Sequence, residues 1–483
     1  MTHKRIILGY ILTQCLFYTI SADENQQIIN VANRQTVSLN GDWEIIIDPF
    51  ENGYYNYRYE ENPNGYFKNH QLESPRDLVE YKFVSSNTLT VPGDWNSQRQ
   101  ELFFYEGTIW YKKSFDYLFK QNKRLFLYFG AVNYHAIVYL NGEKVGEHTG
   151  GFTPFNFEIT DKVKEKDNFI IVKVDNKRKR EGVPTVNTDW WNYGGITRDV
   201  VLIETPETFV RDYQIQLSKV KGNHASGYIQ LDGNETKQYL EINIPELNQS
   251  EKISTAENGY IEFDFPTDAE LWSPDNPKLY EVQIKSSFEI LRDKIGFRIL
   301  KTDGNKLILN GDPVFLRGIS IHEQAPNREG RAFSMEDAKM LLEWAKELGC
   351  NFVRLAHYPH NENMTRLADE MGLLVWSEIP VYWTILWDNQ ATYRNAETQL
   401  KEMITRDKNR ASVAIWSVAN ETPRGKSRFK FLTGLIDFAR TMDSSRLISA
   451  ATELDYHNNT FMINDSLSKF LDVIGVNEYA GWY

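Results

Sequence analysis

The stretch from Val413 to Glu421 constrains the fold of this chain more than any other. It reads V-A-I-W-S-V-A-N-E, an apolar run that ends abruptly in an amide and a carboxylic acid. A run without polar alternation is typical of a strand buried on both faces of a parallel sheet. In barrels built from such strands, the residues at the C-terminal ends meet at one site. The run therefore predicts that Asn420 and Glu421 are presented at a functional site.

Five similar apolar runs accompany this one after about Ile299, and helical periods lie between them. The helix after the first run is predicted from a capping box, Ser334 to Asp337, and Gly349 ends it. Buried strands alternating with helices, without a dinucleotide fingerprint, predict a (β/α)8 TIM barrel. Only about six of its eight strands are expected, so the barrel is predicted to be incomplete. The predicted strands are 314–321, 352–355, 373–376, 413–418, 447–451 and 473–476, and the later helices are 362–370, 392–406 and 427–441.

The residues before the barrel predict two all-β domains. Short alternating strands over 23–205 favour a β-sandwich of jelly-roll type, and Asn141-Gly142 gives the strongest hairpin signal because both residues tolerate positive φ. Strands and turns over 206–298 have the spacing of an immunoglobulin-like sandwich. The predicted order is thus a jelly roll, an immunoglobulin-like domain and a barrel over 299–483.

The N-terminus predicts export. Lys4 and Arg5 precede an apolar run, Ile6 to Ile20, and small residues follow, so 1–22 is interpreted as a signal peptide. The run is too short for a membrane span. Cys15 makes it faintly similar to a lipoprotein signal, but Gln14 is too large for that cleavage site. A periplasmic or extracellular protein is expected, and Cys350 is then the one cysteine of the mature chain, too few for an internal disulfide.

The amino-acid composition limits the classes of molecule that this chain is expected to bind. The net charge of -12 over 483 residues argues against nucleic acid. Aromatic residues reach 13%, with twelve tryptophans. Such a load fits either sugar-binding surfaces, where aromatic faces stack on sugars, or aromatic β cores. Composition alone does not separate these two interpretations.

Polar side chains follow five of the six predicted barrel strands. Carboxylates, amides and aromatics brought to one barrel edge are what cleavage of a glycosidic bond requires, since one acid must protonate the leaving oxygen and a second carboxylate must attack or activate water. The residues at these strand ends are His322 and Glu323, then Arg354, His357 and Tyr358, then Glu378, then Asn420 and Glu421, and finally Asn477, Glu478 and Tyr479.

The chain resembles glycoside hydrolase family 2, which includes β-galactosidases and β-glucuronidases. The segments that carry the resemblance follow the family order across almost the whole mature chain: Gly107–Tyr111, Leu271–Tyr280, Arg317–Glu323, Asn351–Pro359, Trp416–Glu421 and Asn477–Tyr483. The resemblance implies a retaining exo-β-glycosidase that acts on terminal β-galactosides or β-glucuronides of glycans and needs no organic cofactor. It also implies Glu421 as the general acid/base, for which a pKa raised by desolvation is expected.

The resemblance gives further residues their roles. Asn420 matches the residue that binds the sugar 2-hydroxyl, and Asp189 matches an aspartate that a sandwich loop offers to the sugar. His322 and His357 match site-lining positions, although structural hydrogen bonding is the alternative for both. The other implied substrate-binding residues are Arg354, which otherwise forms a salt bridge of the fold, Asn477, and Tyr479, which matches a tyrosine bonded to the nucleophile. For Glu378 a structural pairing is as good an interpretation as a role in the site.

The chain departs from the family pattern in two respects. The family nucleophile follows the seventh strand, beyond Tyr483, so a chain truncated before that strand is expected to lack it; Glu478 stands on the wrong strand. Some family β-galactosidases bind magnesium through a Glu and a nearby His after the third strand, but Glu378 has no such His, so no metal is predicted.

β-Mannosides remain an alternative substrate. An inactive carbohydrate-binding protein on the same scaffold is the alternative function. A homo-oligomer is compatible with the family, although no contact surface is readable.

Overall fold

The computed structural model of the chain describes residues 26–61, 82–457 and 460–479. The predicted signal peptide, 1–22, lies outside these ranges and stays a prediction. The described residues form two β-sandwich regions followed by a parallel sheet with helices, which confirms the predicted fold class of a jelly roll, an immunoglobulin-like sandwich and an incomplete TIM barrel. The domain boundaries at 205/206 and 298/299 stay predictions.

The first sandwich packs a four-stranded sheet against a six-stranded one around an aromatic-rich core. Asn141 and Gly142, both with positive φ, connect two paired strands, so the predicted hairpin is confirmed. In spatial order the sheets contain Gln35–Ser38, Val200–Pro206, Lys123–Phe129 and Phe155–Glu158, and then Thr88–Val91, Gly41–Asp48, Thr108–Phe115, Asn168–Asp175, His135–Leu140 and Glu143–Thr149. Val132–Asn133 pairs with Gly195–Ile196, and the short helix is Trp95–Gln98.

The second sandwich has three strands facing four, as an immunoglobulin-like domain requires. Two of its strands, Gln249–Ser254 and Ile290–Ile295, were not predicted, because their charged and polar residues leave little apolar pattern. The sheets are Phe209–Leu217, His224–Asp232 and Tyr260–Pro266, and then Gln249–Ser254, Tyr239–Ile244, Tyr280–Lys285 and Ile290–Ile295. A small antiparallel sheet, Leu300–Asp303, Lys306–Leu309 and Asp312–Val314, follows this domain.

The barrel region is a six-stranded parallel sheet in sequential order. Its strands are β1 (Gly318–Ile321), β2 (Phe352–Leu355), β3 (Leu374–Glu378), β4 (Val413–Asn420), β5 (Leu447–Thr452) and β6 (Val473–Val476). Its helices are α1 (Met335–Glu347), α2 (Glu362–Met371), α3 (Gln390–Asp407) and α4 (Lys426–Met442). All eight residues of β4 are buried, which explains its unbroken apolar pattern. Within the described residues β1 and β6 each have one neighbour in this sheet.

The single strand predicted over 314–321 is wrong. Asp312–Val314 pairs antiparallel in the small sheet, whereas β1 pairs in parallel with β2. The apolar run therefore contains strands of two different sheets. Hydrophobic periodicity alone cannot show where one strand ends and the next begins, because both parts are apolar. The predicted capping box is confirmed. The Ser334 side chain accepts a hydrogen bond from the Asp337 backbone N–H, and the Asp337 carboxylate accepts one from the Ser334 backbone N–H.

A buried carboxylate fastens the first sandwich to the barrel. Glu323, directly after β1, is 2% exposed and accepts hydrogen bonds from Arg198 of the sandwich at 3.0 Å and from Arg331 at 2.7 Å. The Asn361 backbone N–H donates to the same carboxylate. Burial acts to raise the pKa of Glu323, but the two guanidinium groups outweigh it and hold the pKa at about 2. Glu323 is therefore a domain-docking residue.

The second sandwich is also held to the barrel by buried ion pairs. Lys408, just after α3, reaches both carboxylate oxygens of Asp212 at 2.6 and 2.7 Å, and Arg410 pairs with Asp293.

Cys350 is buried as a free thiol. Among the described residues, no helix is both long enough and apolar enough to cross a bilayer.

Replacing the docking carboxylate should destabilise the protein strongly. Glu323→Gln leaves the buried Arg198 and Arg331 charges without their counter-ion, which should cost about 3–5 kcal/mol of unfolding free energy. Urea denaturation followed by tryptophan fluorescence measures the loss. Because the folded pKa of about 2 lies below the ordinary value of 4.5, the stabilisation is present above the ordinary value and is lost as pH falls towards about 2.

Glu329→Gln is the matched control for this variant. Glu329 lies six positions further along the chain and is exposed, so its effect should stay within about 0.5 kcal/mol. Equal stabilities for the two variants would contradict the docking role of Glu323.

Candidate active site

The site lies where the C-terminal ends of β1 to β4 and β6 meet a loop of the first sandwich. Asn420 ends β4 and is 2% exposed, and Glu421 follows it with a φ of 48°. This left-handed conformation turns the chain sharply. The Glu421 backbone N–H donates to the Ala451 carbonyl at 2.8 Å, so β5 holds the turn in place. Glu421 can then face the cleft while Asn420 stays buried beneath it.

Glu421 lines an open cleft with a volume of about 820 Å³. One carboxylate oxygen accepts from the Trp383 indole N–H at 3.1 Å, and the other accepts from the Tyr479 hydroxyl. Partial burial acts to raise the pKa of Glu421, but hydrogen bonds from Tyr479, Asn477 and Trp383 prevail and lower it. The expectation of a raised pKa is therefore wrong, because donors surround the carboxylate and favour its charged form.

Arg354 at the end of β2 organises the floor of the site. Its guanidinium donates to the Asn420 side-chain oxygen at 2.6 Å, to the Asn477 side-chain oxygen at 3.0 Å and to Glu378 at 3.0–3.2 Å. Asn477 in turn donates to the same Asn420 oxygen at 3.0 Å. The predicted salt bridge of Arg354 is thus present, and the same side chain sets the orientation of the two amides.

The orientation of Asn420 leaves its amide nitrogen available. Its oxygen accepts two hydrogen bonds, so the Nδ2 group points the other way, and this buried nitrogen has no partner among the described residues. A buried donor without a partner costs about 1–3 kcal/mol. A ligand hydroxyl that accepted this bond would recover that free energy, so the atom marks a ligand contact.

Glu378 at the end of β3 is committed to structural pairs. It is 1% exposed and bonds Arg354, the Trp376 indole N–H at 2.7 Å and His357 Nδ1 at 2.6 Å. Burial acts to raise the pKa of Glu378, but Arg354 and then His357 prevail and hold it at about 2. Of the two interpretations open for this residue, the structure favours pairing.

The sandwich loop reaches the barrel, as the sequence predicts. Asp189 is exposed on this loop, and its carboxylate accepts from the Tyr382 hydroxyl. The next residue, Trp190, lies against the barrel residues: its ring centroid is 5.0 Å from that of Tyr382, 6.0 Å from that of His357 and 6.3 Å from that of His322. The loop therefore forms one wall of the site.

The two histidines stand side by side at the ends of β1 and β2. Their ring centroids are 5.4 Å apart and their planes are nearly perpendicular. His322 Nδ1 lies 3.4 Å from the Tyr358 hydroxyl. Burial, and then the nearby His357, lower the pKa of His322, which favours its neutral imidazole. His322, His357 and Asp189 bring one ligand atom each to within 4.8 Å of one another.

The catalytic and substrate-binding residues implied by the resemblance thus lie in one region, linked through the Arg354 and Trp190 contacts. Glu323, which also follows a strand end, is directed into the domain interface instead. Sequence reasoning missed Tyr382 and Trp383. The signal was present, because an aromatic pair directly follows the Glu378 strand end, but that segment was considered only for metal ligands. Its position is set by backbone bonds to the end of β4: Asn420 N–H to Val381 O at 2.9 Å, and Trp383 N–H to Asn420 O at 3.1 Å.

Comparisons with known proteins assign all three domains to one family. Three family models match: "Glycosyl hydrolases family 2, sugar binding domain" over 36–206, "Glycosyl hydrolases family 2" over 208–298 and "Glycosyl hydrolases family 2, TIM barrel domain" over 300–483. Together they cover nearly all of the chain after residue 35. The chain belongs to glycoside hydrolase family 2.

The individual relatives of the chain are β-glucuronidases and β-galactosidases. A putative β-glucuronidase of Formosa agariphila is 31% identical over 77% of this chain and 47% of its own length. A β-galactosidase of Thermoanaerobacterium thermosulfurigenes is 29% identical over 87% of this chain and 64% of its own. The solved β-glucuronidase of Ruminococcus gnavus with uronic isofagomine superposes with a TM-score of 0.78 at 26% identity, over 95% of this chain and 79% of that one. The chain thus spans about half of the first relative and about two thirds of the second.

Removing the Trp383 donor should weaken the charged form of Glu421. Trp383→Phe keeps an aromatic ring but loses the indole N–H, so the pKa of Glu421 should rise towards its ordinary range. The ¹³Cδ resonance of Glu421, assigned by its disappearance in Glu421→Gln, reports the titration. Trp191→Phe is the control, since Trp191 packs on Phe103 and Phe104. A rise of the same size in both variants would contradict the assigned donor.

Proposed function

We propose that this chain contributes the acid/base site of a retaining exo-β-glycosidase that acts on terminal β-glucuronides or β-galactosides. The observation that carries the proposal is the unpartnered Asn420 Nδ2, buried next to a half-buried carboxylic acid at the end of one strand. An amide donor beside a proton-transferring carboxyl is the pair that a sugar 2-hydroxyl and a leaving oxygen require. The named relatives support the choice of sugars.

Glu421 is assigned the proton transfers. It gives a proton to the departing oxygen and then accepts one from water when the glycosyl group is released. Its carboxylate accepts hydrogen bonds from Trp383 and Tyr479, which favour the charged form. A bound sugar excludes water from the cleft, and this desolvation raises the pKa towards the protonated form that donation needs.

The remaining side chains position the sugar. Asn420 Nδ2 donates to the hydroxyl next to the anomeric carbon, where the bond strengthens as positive charge develops. Arg354 and Asn477 hold Asn420 in that orientation. Asp189 and His322 are assigned to hydroxyls further round the ring, and Trp190 offers a flat apolar face. The two remaining predicted residues, His357 and Tyr479, contact the carboxylates of Glu378 and Glu421.

The second carboxylate of a retaining mechanism is not assigned within the described ranges. Glu378, the buried carboxylate near Arg354, already accepts from Arg354, His357 and Trp376. A nucleophile needs a free lone pair aimed at the anomeric carbon, and these bonds occupy the oxygens of Glu378. Its part in the proposed function is to orient Arg354 and His357.

A panel of p-nitrophenyl β-glycosides tests the proposal. With the second carboxylate of the retaining mechanism present, release of p-nitrophenol from the glucuronide or the galactoside is expected, and the β-mannoside is the competing specificity. Silence on every member of the panel contradicts the proposed hydrolysis. Retained binding of a monosaccharide inhibitor in that case, measured by calorimetry, would favour the alternative of a carbohydrate-binding protein.

The role of Glu421 can be separated from simple damage to the site. Glu421→Gln should lower kcat/KM by about 10²–10⁴ for an alkyl glycoside, whose poor leaving group needs the proton. For p-nitrophenyl substrates the loss should be much smaller, because that leaving group departs as its anion. Equal losses on both substrates would contradict the general-acid assignment.

The Asn420 donor makes a distinct prediction. Asn420→Asp preserves the shape but replaces the amide nitrogen with an acceptor, so kcat/KM should fall by about 10²–10³, as when one transition-state donor is removed. Asn258→Asp, an exposed change in the second sandwich, is the matched control and should leave the rate unchanged. A melting temperature within 2 °C of the parent (roughly 1 kcal/mol in a protein of this size) shows that the fold is intact.

A further inference from the structure

One side-chain cluster at the strand ends has a use that sugar binding alone does not require. Asp189, His322 and His357 come from three separate segments, and their ligand atoms all lie within 4.8 Å of one another. Two imidazoles and one carboxylate are the donor set of many three-ligand zinc sites, which keep a further position for water or another small ligand. Around a tetrahedral zinc ion, donor atoms stand about 3.3–3.6 Å apart, as bond lengths of about 2.0–2.2 Å require. Closure needs movement of roughly 1 Å, which rotation of the exposed Asp189 side chain can supply.

The contacts behind these residues also fit a metal. A ligating histidine usually gives its other ring nitrogen to a carboxylate or another oxygen, which fixes the ring and raises the basicity of the free nitrogen. His357 Nδ1 faces the Glu378 carboxylate at 2.6 Å, which leaves Nε2 for a ligand. His322 Nδ1 is nearest to the Tyr358 hydroxyl, at 3.4 Å, which leaves its Nε2 as well. The Asp189 carboxylate is oriented by the Tyr382 hydroxyl.

The charges around the cluster favour a cation. Asp189 and Glu378 are acidic, and Glu421 lies close enough to interact electrostatically with both His357 and Tyr382. Arg354 is the cation of this group; it lies 3.3 Å from His357 Nδ1 and is paired with Glu378. These four groups together carry two net negative charges when ionised, and a divalent ion would neutralise them.

We propose that Asp189, His322 and His357 form a binding site for one divalent transition-metal ion of the zinc class. The site overlaps the position assigned above to the sugar, so the ion and the sugar exclude each other. This proposal goes beyond the glycosidase assignment and does not depend on it, because metal binding can be measured without any turnover. It also runs against the expectation of no metal, which rests on the segment after Glu378 and did not consider residues from different strands and domains.

The direct test titrates the tag-free, chelator-stripped protein with Zn²⁺ in competition with a chromophoric chelator. One saturable site per chain is expected. His322→Ala and His357→Ala should each weaken Zn²⁺ binding by at least about 100-fold, and Glu378→Gln by about 10–100-fold, as loss of a supporting carboxylate does. His224→Ala is the matched control, because His224 also pairs with a carboxylate, Asp264, but lies in the second sandwich. It should bind Zn²⁺ as the parent does.

Cobalt gives a second readout that reports the ligand geometry. Co²⁺ in the same site should show the visible d–d bands of low-coordinate nitrogen and oxygen ligation, and Asp189→Asn should alter them. A monosaccharide inhibitor that occupies the cleft should displace the ion. Absence of saturable binding at 100 μM Zn²⁺, or binding unchanged in both His322→Ala and His357→Ala, overturns the proposal. Either result leaves the glycosidase assignment to be judged by the substrate panel alone.

Discussion

The site depends on the buried Glu323 carboxylate and its two arginines. Arg198 comes from the first sandwich, and Arg331 follows β1 in the barrel. Arg198 also donates to the Pro359 carbonyl at 2.7 Å, just after the His357 turn. This one network therefore fixes the sandwich, the end of β1 and the segment after β2 relative to one another. Asp189 and Trp190 can reach His322 and His357 only while that docking holds.

Glu323 also shows why neighbouring residues at a strand end can have unrelated tasks. His322 packs beside His357 and Trp190, while Glu323 is directed into the interface between the domains. A buried ion pair is weak grounds for net stability, since desolvation offsets much of its Coulomb energy, but removal of one partner is costly. The network is therefore best understood as fixing one relative orientation of two domains, which the contacts of Asp189 and Trp190 with the barrel residues require.

Much of the barrel could be predicted from sequence because its strands are buried on both faces. The patterns of β4 and of the capped helix α1 identified their elements, and the polar residues at the strand ends identified the cleft. The break at Phe315–Arg317 could not be predicted, since apolar residues continue through two differently paired strands. Gln249–Ser254 was missed because its side chains are mostly polar on a half-exposed edge strand.

The site was predictable in its residues and less so in their contacts. The positions of Asn420, Arg354 and Asn477 at strand ends predicted that they belong to the site. Only the three-dimensional structure shows that Arg354 orients both amides. Tyr382 and Trp383 were missed because their placement depends on backbone bonds to the end of β4. The lowered pKa of Glu421 was missed for the same reason, as it reflects three donors from distant segments.

The division of the site between two domains has an evolutionary consequence. Glu421, the proposed acid/base, directly follows a buried strand, whereas Asp189 and Trp190 belong to a loop of another domain. Loops tolerate substitution and insertion far better than the strands that carry them. Under the proposed function, changes in that loop would alter which glycan is accepted while Glu421 and Asn420 stay in place. One scaffold can in this way diversify across many sugars without rebuilding its core.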